Sequence, residues 1–163
     1  MWQRSGVDEF VAGLDYPMFI VTVADPHSDE RAGCLVGFTT QCSINPLRFL
    51  VCLSQANYTY RVASKSRILA VHALGAGQHE LAALFGEETG DEVDKFTRCR
   101  WTAGPEGTPL LNDCPRRLIG HVEGRFDLGD HTGYLLAPQQ QAGLAAPPLM
   151  MSAVHDLEAG HAA

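Results

Sequence analysis

The 163-residue sequence predicts a mainly β protein: a small β-barrel carrying a few short helices. Three observations predict it. Short runs rich in β-branched and aromatic residues recur along the chain, separated by Gly, Pro, Asp and Asn clusters. The stretches with helical periodicity are few and short. No Gly-x-Gly-x-x-Gly follows any apolar run, which disfavours a doubly wound dinucleotide fold. The length fits one domain over residues 1–163, large enough to bury a core without disulfides or metals.

In chain order, Val7, Phe10, Val11 and Leu14 set an apolar stripe on a helix over Asp8–Leu14. Met18–Ala24 reads as a strand stopped by Asp25 and Pro26. After a polar loop at Asp25–Arg31, Ala32–Thr40 reads as the second strand of a hairpin. Phe49–Leu53 is a continuous apolar run, the pattern of a strand covered on both faces, and Ile68–Ala73 reads the same way. Asn57 is placed to cap a helical turn through Tyr60–Ser64. Gln78–Phe85 is a helix with Leu81, Leu84 and Phe85 on one side and Gly86 placed to end it. Thr89–Asp94 is acidic and expected on the surface, and Trp101–Cys114, rich in Gly and Pro, is expected as an extended loop. Leu118–Asp127 alternates, and Leu128-Gly129-Asp130 turns it into Thr132–Ala137 as a second hairpin. Pro138–Pro148 is expected as a loop, and the residues from His155 onward as a loose tail.

Composition excludes several classes. A net charge of −7 leaves no basic surplus for a nucleic-acid partner. Ten arginines and two lysines still allow a local phosphate site. No apolar run is long enough to cross a bilayer, and the first residues lack the apolar segment of a secretory signal, so a cytoplasmic protein is expected. The five cysteines contain no Cys-x-x-Cys pair, and the histidines lack metal-ligand spacing, so no metal is expected. Cys34 and Cys52 sit in apolar runs as core residues, whereas Cys42 falls among the candidate ligand contacts.

Chemistry concentrates on either side of the apolar run Phe49–Leu53. Before it stand Gly37, Phe38, Thr39, Thr40, Gln41, Cys42 and Ser43; after it stand Ser54, Asn57, Tyr58 and Thr59. Small and hydroxyl-bearing residues around a buried strand bring amides and hydroxyls against a flat, phosphorylated ligand. The ordered set of motifs resembles the flavin reductase family, the FMN-binding split-barrel proteins related to the reductase components of two-component monooxygenases. The pieces are Ser43-Ile44-Asn45-Pro46, Asn57-Tyr58-Thr59, Asp94-Lys95-Phe96, Pro109-Leu110-Leu111 and Gly129-Asp130-His131-Thr132. The chain departs from the pattern at Leu47, where a second Pro is usual, at Gly37-Phe38, where Asn-Ser often faces the ring, and at Pro148–Val154, which replaces a closing strand bearing a Tyr.

The resemblance implies a flavin reductase that binds FMN or FAD and takes its electrons from NADH or NADPH. It implies a homodimer with the flavin near the subunit boundary, and a partner monooxygenase that receives the reduced flavin. Val36, Gly37, Phe38, Thr39, Thr40 and Gln41 are implied around the ring. Ser54, Asn57, Tyr58 and Thr59 are the candidate phosphate site, where a strand gives way to a helix. Lys95 is either a point charge completing that site or a solvated loop lysine. His131 is either a residue beside the nicotinamide or an ordinary turn histidine. Two rival readings share the fold: a flavin or deazaflavin protein with a different electron donor, and a non-enzymatic small-molecule binding module.

Overall fold

The computed structural model describes residues 6–90 and 93–157 of the chain. Asp91 and Glu92 of the acidic stretch, and residues 158–163 of the expected tail, lie outside the described residues. One antiparallel seven-stranded sheet dominates, in the order β2-β1-β5-β8-β9-β4-β3. Its strands are β1 (Phe19–Ala24), β2 (Arg31–Val36), β3 (Thr39–Ile44), β4 (Leu47–Ser54), β5 (Ile68–Ala73), β8 (Arg117–Asp127) and β9 (His131–Ala142). The sheet curls so that alternate residues of each strand face inward. Val21, Val23, Val51, Leu53, Leu69, Tyr134 and Leu136 form the inner core and are fully shielded. Helix α2 (Tyr58–Ala63) packs on β1, β2 and β4 and plugs the split, with Val62 and Ala63 fully buried. As expected, Asn57 caps it, its side-chain oxygen accepting from Thr59 N–H at 3.0 Å.

The outward faces of β1 and β5 carry a second core. Ile20, Leu74, Ala82, Phe85, Leu111, Leu149 and Val154 pack beneath a cover made of α3 (His79–Glu87), a small hairpin and the C-terminal segment. His72 is fully buried between the layers. Its Nε2 accepts from Leu111 N–H at 3.1 Å, which makes Nδ1 the protonated nitrogen facing Ile20 O, also at 3.1 Å.

Four expectations change. Ala32–Thr40 is not one strand. It divides at Gly37-Phe38 into β2, which pairs with β1, and β3, which pairs with β4 at the opposite edge of the sheet. A Cβ at Gly37 would lie 2.4 Å from Tyr16 Cε2, so only glycine lets the chain pass here. Phe38 O then accepts from Cys52 N–H at 2.9 Å, extending the β3–β4 pairing by one residue. Trp101–Cys114 is no extended loop: β6 (Trp101–Ala103) and β7 (Pro109–Leu111) form a hairpin around a turn at Pro105–Gly107. β9 continues past Ala137 because the polar residues to Ala142 pair through their backbone with β8, leaving no side-chain pattern to read. α3 runs through Gly86 to Glu87, since Leu35 occupies the space where a Cβ at Gly86 would stand. Helix α1 (Gly6–Ala12) forms as expected, yet its stripe residues Phe10 and Val11, and Leu14 just beyond it, face outward and are exposed.

Candidate functional site: a cleft at the seam of two cores

Where β2 gives way to β3, the inner core and the cover core meet along an open cleft of about 310 Å³. Cys34, Val36 and Leu53 reach it from the inner core, and Tyr16, Met18, Leu35 and Met151 from the cover. Gly37 and Phe38 form its lip, and Ser54, Asn57 and His131 its polar end. The ring of Phe38 lies 6.0 Å from that of Tyr16 and 5.2 Å from that of His131, both tilted, so three rings follow one another along the cleft. His131 Nδ1 is 2.6 Å from Asp130 Oδ1, and that contact holds the Asp130 carboxyl below the usual carboxylate range.

The cleft gathers Val36, Gly37, Phe38, Ser54, Asn57 and His131 from the candidate residues. It does not gather the others. Thr39, Thr40 and Gln41 lie on β3, the outer edge strand, where Thr40 donates to Gln41 O at 3.0 Å and Gln41 donates to Ser43 O at 3.2 Å. Cys42, exposed on the same strand, stands apart from the cleft as well. Tyr58 turns to the other side of α2, donating its hydroxyl to Glu30 at 3.1 Å. Thr59 is buried, its hydroxyl against the Cys34 thiol.

Lys95 is neither a phosphate ligand of this cleft nor a solvated lysine. It is 5 % exposed, and its ammonium donates to Gly33 O at 2.9 Å and Phe85 O at 3.0 Å. A lysine closing the carbonyl end of a helix satisfies acceptors that the helix leaves open. Desolvation lowers its pKa.

Sequence reasoning missed Tyr16, Met18, Leu35 and Met151, because these belong to segments distant in sequence that meet only through the cover. Cys34, buried in the inner core as expected, and Cys52, only half-buried, both line the cleft. Burial raises both thiol pKa values, so each presents a protonated, apolar surface and no thiolate nucleophile. Walls of sulfur, aromatic and aliphatic groups with a polar end suit a flat ring bearing a hydrophilic tail. The donor set thus fits a flavin: apolar faces for the ring, and the Ser54–Asn57 turn for the tail.

A split β-barrel with an apolar cleft at its seam is the class of domain that the fold and the site define. The sequence profile of the flavin reductase like domain matches residues 11–140, and the chain belongs to that family. An FMN reductase (NADH) of Enterobacter sp. is 38% identical over 108 residues, covering 64% of this chain and 65% of that protein. The reductase subunit of a flavin-dependent monooxygenase of Rhodococcus jostii is 30% identical over 132 residues, covering 78% of this chain and 61% of that one. The chain thus spans just under two-thirds of the length of these curated relatives. Among solved structures, an NADH:FAD oxidoreductase of Streptomyces globisporus superposes with a TM-score of 0.78 at 23% identity, covering 88% of this chain and 85% of that one. An FMN-binding protein of Thermus thermophilus superposes at 0.75 with 21% identity, covering 86% and 77%. These two share the fold.

Proposed function

We propose that this chain is a flavin reductase that holds FMN, or FAD, in the seam cleft and reduces it with NADH or NADPH. The observation that carries the reading is the convergence of Val36, Gly37, Phe38 and His131 on one apolar cleft in a chain of this family. A bound flavin supplies the chemistry, accepting a hydride from nicotinamide C4 at its N5, so that NAD(P)H, flavin and one proton yield NAD(P)⁺ and dihydroflavin. The protein's part is placement. Tyr16 and Phe38 offer ring faces, Cys52 and Met18 keep water from the floor, and the Ser54–Asn57 turn offers donors to the phosphate. His131, oriented by Asp130, hydrogen-bonds the incoming ring and needs no role as a base.

The protein acts in the cytoplasm as a homodimer and hands reduced flavin to a monooxygenase in this reading. Exposed Phe38, Ile44, Phe126 and Leu128 on the β3 edge and the β8–β9 tip support the dimer. The name of the Rhodococcus relative supports the partner. Among the described residues no helix is long and apolar enough to cross a membrane.

Steady-state oxidation of NADH, and separately of NADPH, with FMN supplied, tests the reading. Turnover with FMN is expected. Flavin binding without turnover indicates a different electron donor, and absence of flavin binding indicates a non-enzymatic module.

A further inference from the structure

The cleft's outer wall is not built by the barrel. It is set by the C-terminal segment, which returns to the site after β9 has run away from it. Residues 147–151 slot between the 16–18 and 74–76 segments. Leu149 N–H donates to Leu74 O at 3.0 Å, Met18 N–H to Leu149 O at 2.8 Å, and Met151 N–H to Tyr16 O at 2.8 Å. Leu149 and Val154 anchor the segment in the cover core, both 2% exposed.

At the wall itself one carboxylate gathers three donors. Asp15 Oδ1 accepts from Ser152 N–H at 2.9 Å and from Tyr16 N–H at 3.0 Å, while Oδ2 accepts from the Ser152 hydroxyl at 2.7 Å. Both oxygens are used, and the two residues they join lie next to the two wall residues: Asp15 precedes Tyr16, and Ser152 follows Met151. Tyr16 is pressed flat against Gly37, and its ring continues the row through Phe38 to His131. A second contact, His79 Nε2 to Asp156 Oδ1 at 3.1 Å, ties the segment's far end to α3, away from the cleft.

We propose that Asp15 and Ser152 are positioning residues that set how long the cleft retains its ring ligand, by fixing Tyr16 and Met151 as a wall that must part for the ring to leave. This rests on the flavin reading of the cleft and deepens it. The barrel side of the cleft is pinned by continuous strand pairing. The wall is held by backbone bonds between short segments, by the buried anchors Leu149 and Val154 and by this side-chain clamp at its cleft end, so the wall is the side that yields. Tightening or loosening the clamp moves the chain between a protein that keeps flavin and one that releases it to another enzyme.

Stopped-flow mixing with FMN gives association and dissociation rates for the full chain, for Ser152→Ala and for Ser152→Thr. Loss of one charge-assisted hydrogen bond is expected to raise the Ser152→Ala dissociation rate about tenfold, with association changed less than about twofold, and Ser152→Thr is expected to restore retention. A general loss of packing would not be rescued by Thr. Dissociation from Ser152→Ala equal to that of the parent protein overturns the proposal. Where Ser152→Ala does not fold, Asp15→Asn keeps the side chain's size and removes the charge from the clamp; faster dissociation supports the proposal and unchanged dissociation overturns it. If the parent protein itself takes up no FMN, the flavin reading fails, and the clamp is not what failed.

Discussion

Inside the barrel, Val21, Val51, Leu53, Leu69 and Leu136 are shielded by interlocking aliphatic side chains from strands paired along their whole length. In the cover, a buried core is assembled from a helix, a hairpin of two three-residue strands and the C-terminal segment, and buried polar groups hold the parts in place. His72 fastens the β6–β7 hairpin, Lys95 joins α3 to β2, and Thr22 donates to Pro109 O at 2.6 Å. The barrel is continuous. The cover depends on a few directional contacts, each of which can be broken alone. The cleft lies where the two meet, with one wall from the barrel and one from the cover.

The comparison can be broken hardest in the barrel. Leu69→Ala leaves a void among fully paired strands and is expected to cost about 3 kcal/mol of folding free energy, read by denaturant unfolding. The same measurement as a function of pH separates the layers. Desolvation among the cover residues depresses the His72 pKa to about 4 from 6.5, with Arg117 adding to the effect. Above pH 6.5 both folded and unfolded chains hold this ring neutral, so its contribution is constant. As pH falls below that, the unfolded chain takes up a proton that the folded chain refuses, and stability declines until about pH 4. The loss through this one group amounts to about 3 kcal/mol at the end of that window. A His72→Phe variant is expected to flatten the profile there. The smallest effect belongs to the cleft: Ser54→Ala is expected to weaken FMN binding about fivefold with an unchanged melting temperature, since its hydroxyl serves only a local 3.3 Å contact to Ala56 N–H.

The same contrast explains what the sequence reveals. The barrel strands announce themselves: Met18–Ala24 and Ile68–Ala73 are apolar because both their faces are covered, and the structure places β1 and β5 there, whereas Phe49–Leu53 falls in β4, where Val51 and Leu53 are buried and Phe49, Leu50 and Cys52 only half-buried. Asn57 announces its cap by residue type and position. The break at Gly37-Phe38 is invisible in a window of apolar residues, because its cause is Tyr16, about twenty residues earlier. The β6–β7 hairpin is hidden because three-residue strands held by His72 and Thr22 carry no periodicity. Half the candidate site was legible, the half made by β2, the β4–α2 turn and His131. Tyr16, Met18 and Met151 were not, because a wall assembled from both ends of the chain leaves no local signal. Lys95 gives no local sign of its burial, because its partners are the backbone carbonyls of Gly33 and Phe85, brought to it only by the fold.

The central claim is that the seam cleft holds a flavin ring in position for reduction. An anaerobic titration of the protein with FMN, followed by one equivalent of NADH, tests it most directly. A shifted, resolved flavin absorption band is expected on binding, bleaching as NADH is consumed. A band identical to that of free FMN, unchanged by NADH, would contradict it.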